Sequence, residues 1–466
     1  MIYYFGSFYY LLTMRLSLFS LLLVLFLSPN LSFGAKPPNF IIIFADDLGY
    51  NDLSCYGSKT IKTPHLDKLA AEGLKLTSFH VPSPVCSPSR AGLLTGCYPK
   101  RVGMHKHVIF PKYTYGLHPD ELTIADHLKA NGYATACIGK WHLGHTTETL
   151  PTANGFDQYY GIPYSNDMSH PDNKDKPRIN QDQSWKNQNK FSPLWNTPLM
   201  RDKKIIELPV NQRTITRRYT DEAIKFIETN KENPFFLYLP HSMPHIPLYV
   251  PEDAYDPDPK NAYKCVIEHI DAECGRLIQK VRDLKLDDNT YIIFTSDNGP
   301  WLQFKHHGGS ALPLRAGKGT TFEGGQRVPC IIWGRNIPQG KSSDAMISTI
   351  DLLPTLANLA GFPLNGHKKI DGLVVSKTLT TGEKSPRTEF LHYNSRGKLE
   401  GIRKDNWKLL VLKNKTMLFD LSADLSEKNN LAEKFPQRVT DLKKRMLALD
   451  KDITTNARPV HRKDQK

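Results

Sequence analysis

Four short apolar runs in this sequence end in the same way, with branched or aromatic side chains giving way at once to carboxylate, lysine or histidine. Residues 40–44 lead into Asp46-Asp47, Ala134–Ile138 into Lys140 and His142, residues 235–239 into His241 and His245, and residues 291–295 into Asp297-Asn298. A fifth run covers 329–333. Runs of this length, bounded by turn residues, read as buried strands. Segments with apolar residues three or four apart lie between them, at 63–72, 125–131, 220–230 and 263–284, and read as helices. This alternation predicts an α/β fold, a large doubly wound, mostly parallel sheet flanked by helices. Ligands bind such sheets beyond the carboxyl ends of the strands, so four chemically equipped ends predict one shared crevice.

The pattern changes near residue 388. Segments 389–393, 398–403, 407–412 and 417–420, separated by turn residues, predict a smaller C-terminal subdomain of antiparallel sheet. The helix expected over 437–449 carries Val439, Leu442, Met446 and Leu449 on one packing face. The expected organisation is therefore a body at 35–385, the subdomain at 386–455 and a frayed polar tail at 456–466. Segment 165–196 lacks periodicity and reads as a substrate-facing loop. Its Trp185, Phe191 and Trp195 could stack on sugar rings.

Residues 1–34 read as an export signal, with Arg15 ahead of an apolar run at 16–27 and small residues Ser32 and Gly34 before Ala35. Initiation at Met14 would leave a cleaner signal. The run is too short to predict a stable membrane span. A secreted, periplasmic or lysosome-like compartment is expected. Net charge is +14, but Lys and Arg are spread along the chain rather than gathered into a stripe. That balance favours anionic ligands in general and gives no reason to expect nucleic acid. Seven cysteines are present. Setting Cys86 aside leaves an even number, compatible with disulfides or with buried free thiols.

The most informative string is Cys86-Ser87-Pro88-Ser89-Arg90, followed by Ala91-Gly92-Leu93-Leu94-Thr95-Gly96. Pro88 suits a first helical turn. Cys86 would then stand at a helix N-terminus, where an anion is favoured and a thiol pKa is lowered. Asp46-Asp47 and Asp297-Asn298 supply oxygen donors only, a set that suits a hard cation better than zinc.

Here the sequence resembles the sulfatase family, within the alkaline phosphatase superfamily, over residues 39–431. The family's Cys-x-Pro-x-Arg element is recognised by a maturation enzyme that oxidises the cysteine to formylglycine. The resemblance implies that Cys86 becomes this aldehyde, whose hydrate attacks sulfur through one hydroxyl, forms a covalent sulfate ester and releases sulfate through the other. It implies one calcium ion held by Asp46, Asp47, Asp297 and Asn298. Arg90 would hold the hydrated aldehyde, Lys140 would bind sulfate, and His142, within Gly139-Lys140-Trp141-His142-Leu143-Gly144, would take a proton. His245, ahead of Ile246-Pro247, would donate to the leaving oxygen, and His241 is left structural. Lys318, in Gly317-Lys318-Gly319-Thr320-Thr321, would contact sulfate and leaving group. Ser165, after Gly161-Ile162-Pro163-Tyr164, resembles the substrate-contacting serine of the arylsulfatase branch.

The expected activity is hydrolysis of a sulfate ester, on a sulfated small molecule or oligosaccharide. Two alternatives stay open: a phosphate-ester hydrolase of the same superfamily, and an inactive protein that binds sulfated glycans.

Overall fold

Side chains of the strand Asn39–Ala45 alternate between two cores, Phe40, Ile42 and Phe44 entering one and Ile41, Ile43 and Ala45 the other. Burial on both faces is what makes the run continuously apolar. This is a computed structural model describing residues 36–169, 180–366, 368–413 and 415–463. The proposed export signal lies outside the described residues. Residues from Pro38 onward form one unit.

Asn39–Ala45 pairs in parallel with Phe235–Pro240 on one side and Thr290–Ser296 on the other. Ala134–Ile138 and then Gln158–Gly161 extend the parallel array past Phe235–Pro240. Among the described residues eleven strands make one mixed, mostly parallel sheet. Arg327–Trp333 enters it antiparallel, between Thr290–Ser296 and Leu74–His80. Helices Pro64–Ala71, Ile215–Asn230 and Ala262–Asp283 bury their apolar faces against one side of the sheet. Cys86–Thr95, Ile124–Ala130 and Leu352–Leu359 bury theirs against the other. This is the doubly wound arrangement expected. The helix at 215–230 starts five residues earlier than its apolar spacing suggested, because buried Ile215 and Tyr219 continue its face across the exposed-leaning pair Arg217-Arg218.

The second sheet runs in order Glu389–Tyr393, Leu399–Lys404, Trp407–Leu412, Lys415–Asp420, all antiparallel. Helix Pro436–Thr455 covers it with Leu442, Met446 and Ile453. A buried ion network joins this sheet to the rest of the chain. Lys408 Nζ lies 2.8 Å from Glu323 and 2.9 Å from Glu427, and His80 and Arg403 stand beside Glu323.

Three expectations need correction. The tail is not frayed as far as Lys463: the Arg458 guanidinium donates twice to the buried Glu121 carboxylate, and His461-Arg462 pair with Tyr115–Gly116. Beyond Asn180, the 165–196 segment is built from short helices rather than open loop. Within it Trp185 is fully buried and donates its indole N–H to the Asp256 carbonyl, so its ring is closed to any sugar. All seven cysteines are free thiols.

Candidate functional site

The helix Cys86–Thr95 begins at Cys86, with Val85 extended before it and Pro88 in its first turn. Every residue of this helix is buried. Cys86 Sγ lies 3.5 Å from Asp46 Oδ1 and 3.5 Å from Lys318 Nζ. Val85, Val108, Phe110 and Met168 form an apolar wall around it. The thiol pKa is not lowered there, contrary to expectation. Burial pushes it well up, Asp297 and Asp46 add to that, and Lys140 and Lys318 only partly offset it. Desolvation outweighs the helix terminus, so the unmodified thiol is a poor nucleophile.

Asp46 and Asp47 lie just past the end of the central strand, Asp47 in left-handed backbone with φ 68°. Its N–H donates to Asp297 Oδ1 at 3.1 Å, which binds the two strand ends together. Arg90 reaches back from the Cys86 helix and donates Nε and Nη2 to Asp297 Oδ2, at 3.1 and 2.8 Å. Its Nη1 donates to the Lys140 carbonyl, 2.9 Å away. Burial, then Asp46, push the Asp297 carboxyl up to about 7 against the pull of Arg90. Burial would raise Asp46 as well, but Lys140, Arg90, His245 and Lys318 together hold it well below the usual carboxylate range.

Lys140 and His142 arrive on the turn after Ala134–Ile138. Gly139 permits this turn: with φ 135°, a Cβ there would fall 1.9 Å from the Pro240 carbonyl oxygen. Lys140 Nζ donates to Asp46 Oδ2 at 2.5 Å and to Ser165 Oγ at 3.1 Å. Trp141, fully buried and bonded to the Thr149 carbonyl, anchors the turn. His142 Nε2 lies 3.1 Å from the Ile109 carbonyl, which fixes the proton there and leaves Nδ1 bare, buried and without a hydrogen-bond partner. Burial, then Lys140, hold this imidazole well below its ordinary pKa.

His245 Nδ1 is 2.6 Å from the Ile246 carbonyl, so its other nitrogen faces Asp47 Oδ2 at 3.7 Å and Ser165 Oγ at 3.5 Å. Asn166 ties the two loops together by donating to the Pro247 carbonyl. Lys318 is delivered by backbone contacts: its own N–H donates to the Pro300 carbonyl, and that of Gly319 to the Pro84 carbonyl, two residues before Cys86. Its ammonium donates to both oxygens of Asp47, at 2.6 and 2.7 Å.

All eleven residues singled out from sequence therefore converge. His241 does not join them: it is buried, neither ring nitrogen is hydrogen-bonded, and burial holds it down to about 3. Sequence reasoning missed Trp301. Its half-buried ring lies 5.3 Å from the His245 ring, with Lys318 Nζ 4.3 Å from its centroid. The available signal was position, three residues after Asn298.

The donor set fits a hard divalent cation. Asp46, Asp47 and Asp297 present oxygens within 4.8 Å of one another and of Cys86 Sγ. Asn298 donates Nδ2 to Asp47 Oδ1 at 2.7 Å, yet its own carbonyl oxygen is buried and accepts from no donor. A buried acceptor left unpaired is costly, and a cation is the partner that this oxygen and three carboxylates call for.

Residues 38–362 match the sulfatase family model, and residues 317–452 match the model described as N-sulphoglucosamine sulphohydrolase, C-terminal. Arylsulfatase A of Homo sapiens is 39% identical over 78% of this chain and 71% of its own length. Arylsulfatase G of Rattus norvegicus is 36% identical over 81% and 76%. The crystal structure of Ps i-CgsB in complex with k-i-k-neocarrahexaose is 32% identical, with a TM-score of 0.77 over 89% of this chain and 93% of that one.

Proposed function

Starting from the premise that this chain belongs to the sulfatase family and is a sulfatase enzyme, we propose that it hydrolyses sulfate esters on a sulfated carbohydrate, using a nucleophile made from Cys86 and one calcium ion. The setting of Cys86 carries this reading. A residue at a helix N-terminus, flanked by Asp46 and Lys318, faces an oxygen-only donor set in which the Asn298 carbonyl is unpaired.

Matured to formylglycine, Cys86 would supply a hydrated aldehyde with one hydroxyl to attack sulfur and a second to expel sulfate, which a plain thiol lacks. Calcium held by Asp46, Asp47, Asp297 and Asn298 would supply positive charge against the sulfate oxygens.

This chain's own residues do the rest. Arg90, fixed by Asp297, presents its guanidinium where Cys86 and Asp46 meet and stabilises negative charge growing there. Lys140 and Lys318 approach from opposite loops and clamp an anion between two ammonium groups. The bare Nδ1 of neutral His142 is a proton acceptor by construction. His245 Nε2 donates to the leaving oxygen once protonated, a state that Asp47 stabilises at 3.7 Å. Ser165 Oγ, between Lys140 and His245, orients the leaving group.

A carbohydrate is favoured by the net charge of +14, by the half-buried Trp301 ring beside His245 and by the relatives. One relative is N-acetylgalactosamine-6-sulfatase of Sus scrofa, 36% identical over 77% of this chain. The reading needs a maturation enzyme acting on Cys86 and fits an exported compartment. Among the described residues no helix is long and apolar enough to cross a membrane.

Peptide mass analysis of active protein tests the nucleophile, since formylglycine is lighter than cysteine by the exchange of CH2SH for CHO. Intact Cys86 in fully active enzyme sinks the mechanism. Turnover of an aryl sulfate over the matching aryl phosphate, with calcium rather than zinc supplied, tests the reaction class.

A further inference from the structure

Outside this site, Asp182, His306 and His307 bring a carboxylate oxygen and two imidazole nitrogens within 4.8 Å of one another. Asp182 sits in the first turn of helix Gln181–Lys186, and the histidines end the helical turn Leu302–His307. Both converge on a single atom: Asp182 Oδ1 lies 2.8 Å from His306 Nε2 and 3.0 Å from His307 Nε2.

The two contacts differ in kind. His306 makes a hydrogen bond to this oxygen. His307 comes almost as close, yet neither of its ring nitrogens makes a hydrogen bond although the side chain is 1% exposed. A buried imidazole beside a carboxylate that it does not hydrogen-bond suits coordination better than proton sharing.

We infer that Asp182, His306 and His307 form a second, zinc-class metal site that clamps the 181–186 helix to the loop following Asp297-Asn298. Two imidazoles and one carboxylate are borderline ligands, suited to zinc, cobalt or nickel and unlike the all-oxygen set at the strand ends. With metal–ligand bonds of about 2.0–2.2 Å, tetrahedral ligands stand about 3.4 Å apart. The two carboxylate–nitrogen separations of 2.8 and 3.0 Å therefore need to open by only about half an ångström to admit the ion. Asp182 and His306 are partly exposed, which gives the ion a route in and leaves a fourth position for water. Because the clamp shares no residue with the catalytic cluster, it stands or falls independently of the proposed hydrolysis.

The test uses full-length protein saturated with calcium, dialysed free of other metals and then titrated with zinc chloride or cobalt chloride. Wild type is expected to bind about one zinc per chain, to gain thermal stability with zinc, and to give the visible absorption of tetrahedral cobalt. His306→Ala, a change at a partly exposed side chain, is expected to weaken zinc binding at least tenfold and erase both signatures. His307→Ala and Asp182→Asn should do the same, with His306→Ala deciding if either fails to fold. No zinc binding by wild type, or binding unchanged in His306→Ala, overturns the inference.

Discussion

Arg90 holds Asp297 by two hydrogen bonds to one oxygen, Oδ2, while the other oxygen accepts the Asp47 backbone N–H. The carboxylate is thus fixed at both oxygens in a place where burial and Asp46 press it towards protonation. Arg90→Lys keeps a positive charge but cannot reproduce the fork or the bond to the Lys140 carbonyl. A loss of about 1–3 kcal/mol is expected from the buried groups left unpaired, with turnover down at least about a hundredfold. Calorimetry of calcium-loaded protein beside steady-state kinetics checks both. A Tm equal to wild type would show that the pair contributes nothing to the fold.

Asn298 has one job done by its amide nitrogen, which braces Asp47, and one waiting for its oxygen. Asn298→Ala removes both. The apparent calcium affinity, read as activity against free calcium, is expected to fall on the order of 10–100-fold, with activity returning at high calcium. If chelators leave wild-type activity untouched, the metal assignment fails with it.

The buried network at the second sheet gives a pH signature separate from catalysis. Burial holds His80 down to about 4, with Glu323 pulling the other way. Unfolded, it titrates near about 6.5. Between those values the unfolded chain takes up a proton that the folded chain refuses. This contribution to stability is therefore complete above about 6.5, is lost as pH falls through the window, and levels off below about 4. The loss from this one group is about 3 kcal/mol. Thermal melts across this range should show a shallower acid slope for His80→Gln than for wild type; identical slopes would show that His80 is not the group responsible.

Trp301 separates substrate class from chemistry. Its ring flanks His245 and Lys318, and stacking of an aromatic ring on a sugar is a binding contribution. Trp301→Ala is expected to raise KM for a sulfated oligosaccharide about tenfold, equivalent to about 1.4 kcal/mol, while kcat on a small aryl sulfate moves less than about threefold. Equal losses on both substrates would make Trp301 a support for His245 instead.

The site was legible in the sequence because strand ends are where an α/β sheet delivers side chains. Asp46, Lys140 and Asp297 stand two residues past the ends of their apolar runs and His245 a short loop further on, and the fold needs no more than parallel pairing of those runs to collect them. Trp301 was hidden because an isolated tryptophan a few residues past a strand end reads as core, although Thr290–Ser296 delivers it beside Asp297-Asn298. The docking of Arg458 on Glu121 could not be read because both lie in polar stretches whose pairing spans most of the chain. The Cys86 thiol was misjudged for a different reason: a helix terminus is visible in sequence, but the desolvation that outweighs it comes from residues scattered over the chain.

The burial of the Cys86 helix also fixes an order of events. In the finished molecule the thiol is 1% exposed, and the helix is backed by Ile350 and Leu353, which crowd Gly92 and Gly96. Those residues leave the ribosome long after Cys86 does. Under the proposed maturation, the enzyme that alters Cys86 acts before this packing closes over the thiol, in competition with folding itself. On that proposal, conditions that speed folding would lower the fraction of matured protein, and a slowly folding variant would emerge better matured than one optimised for stability.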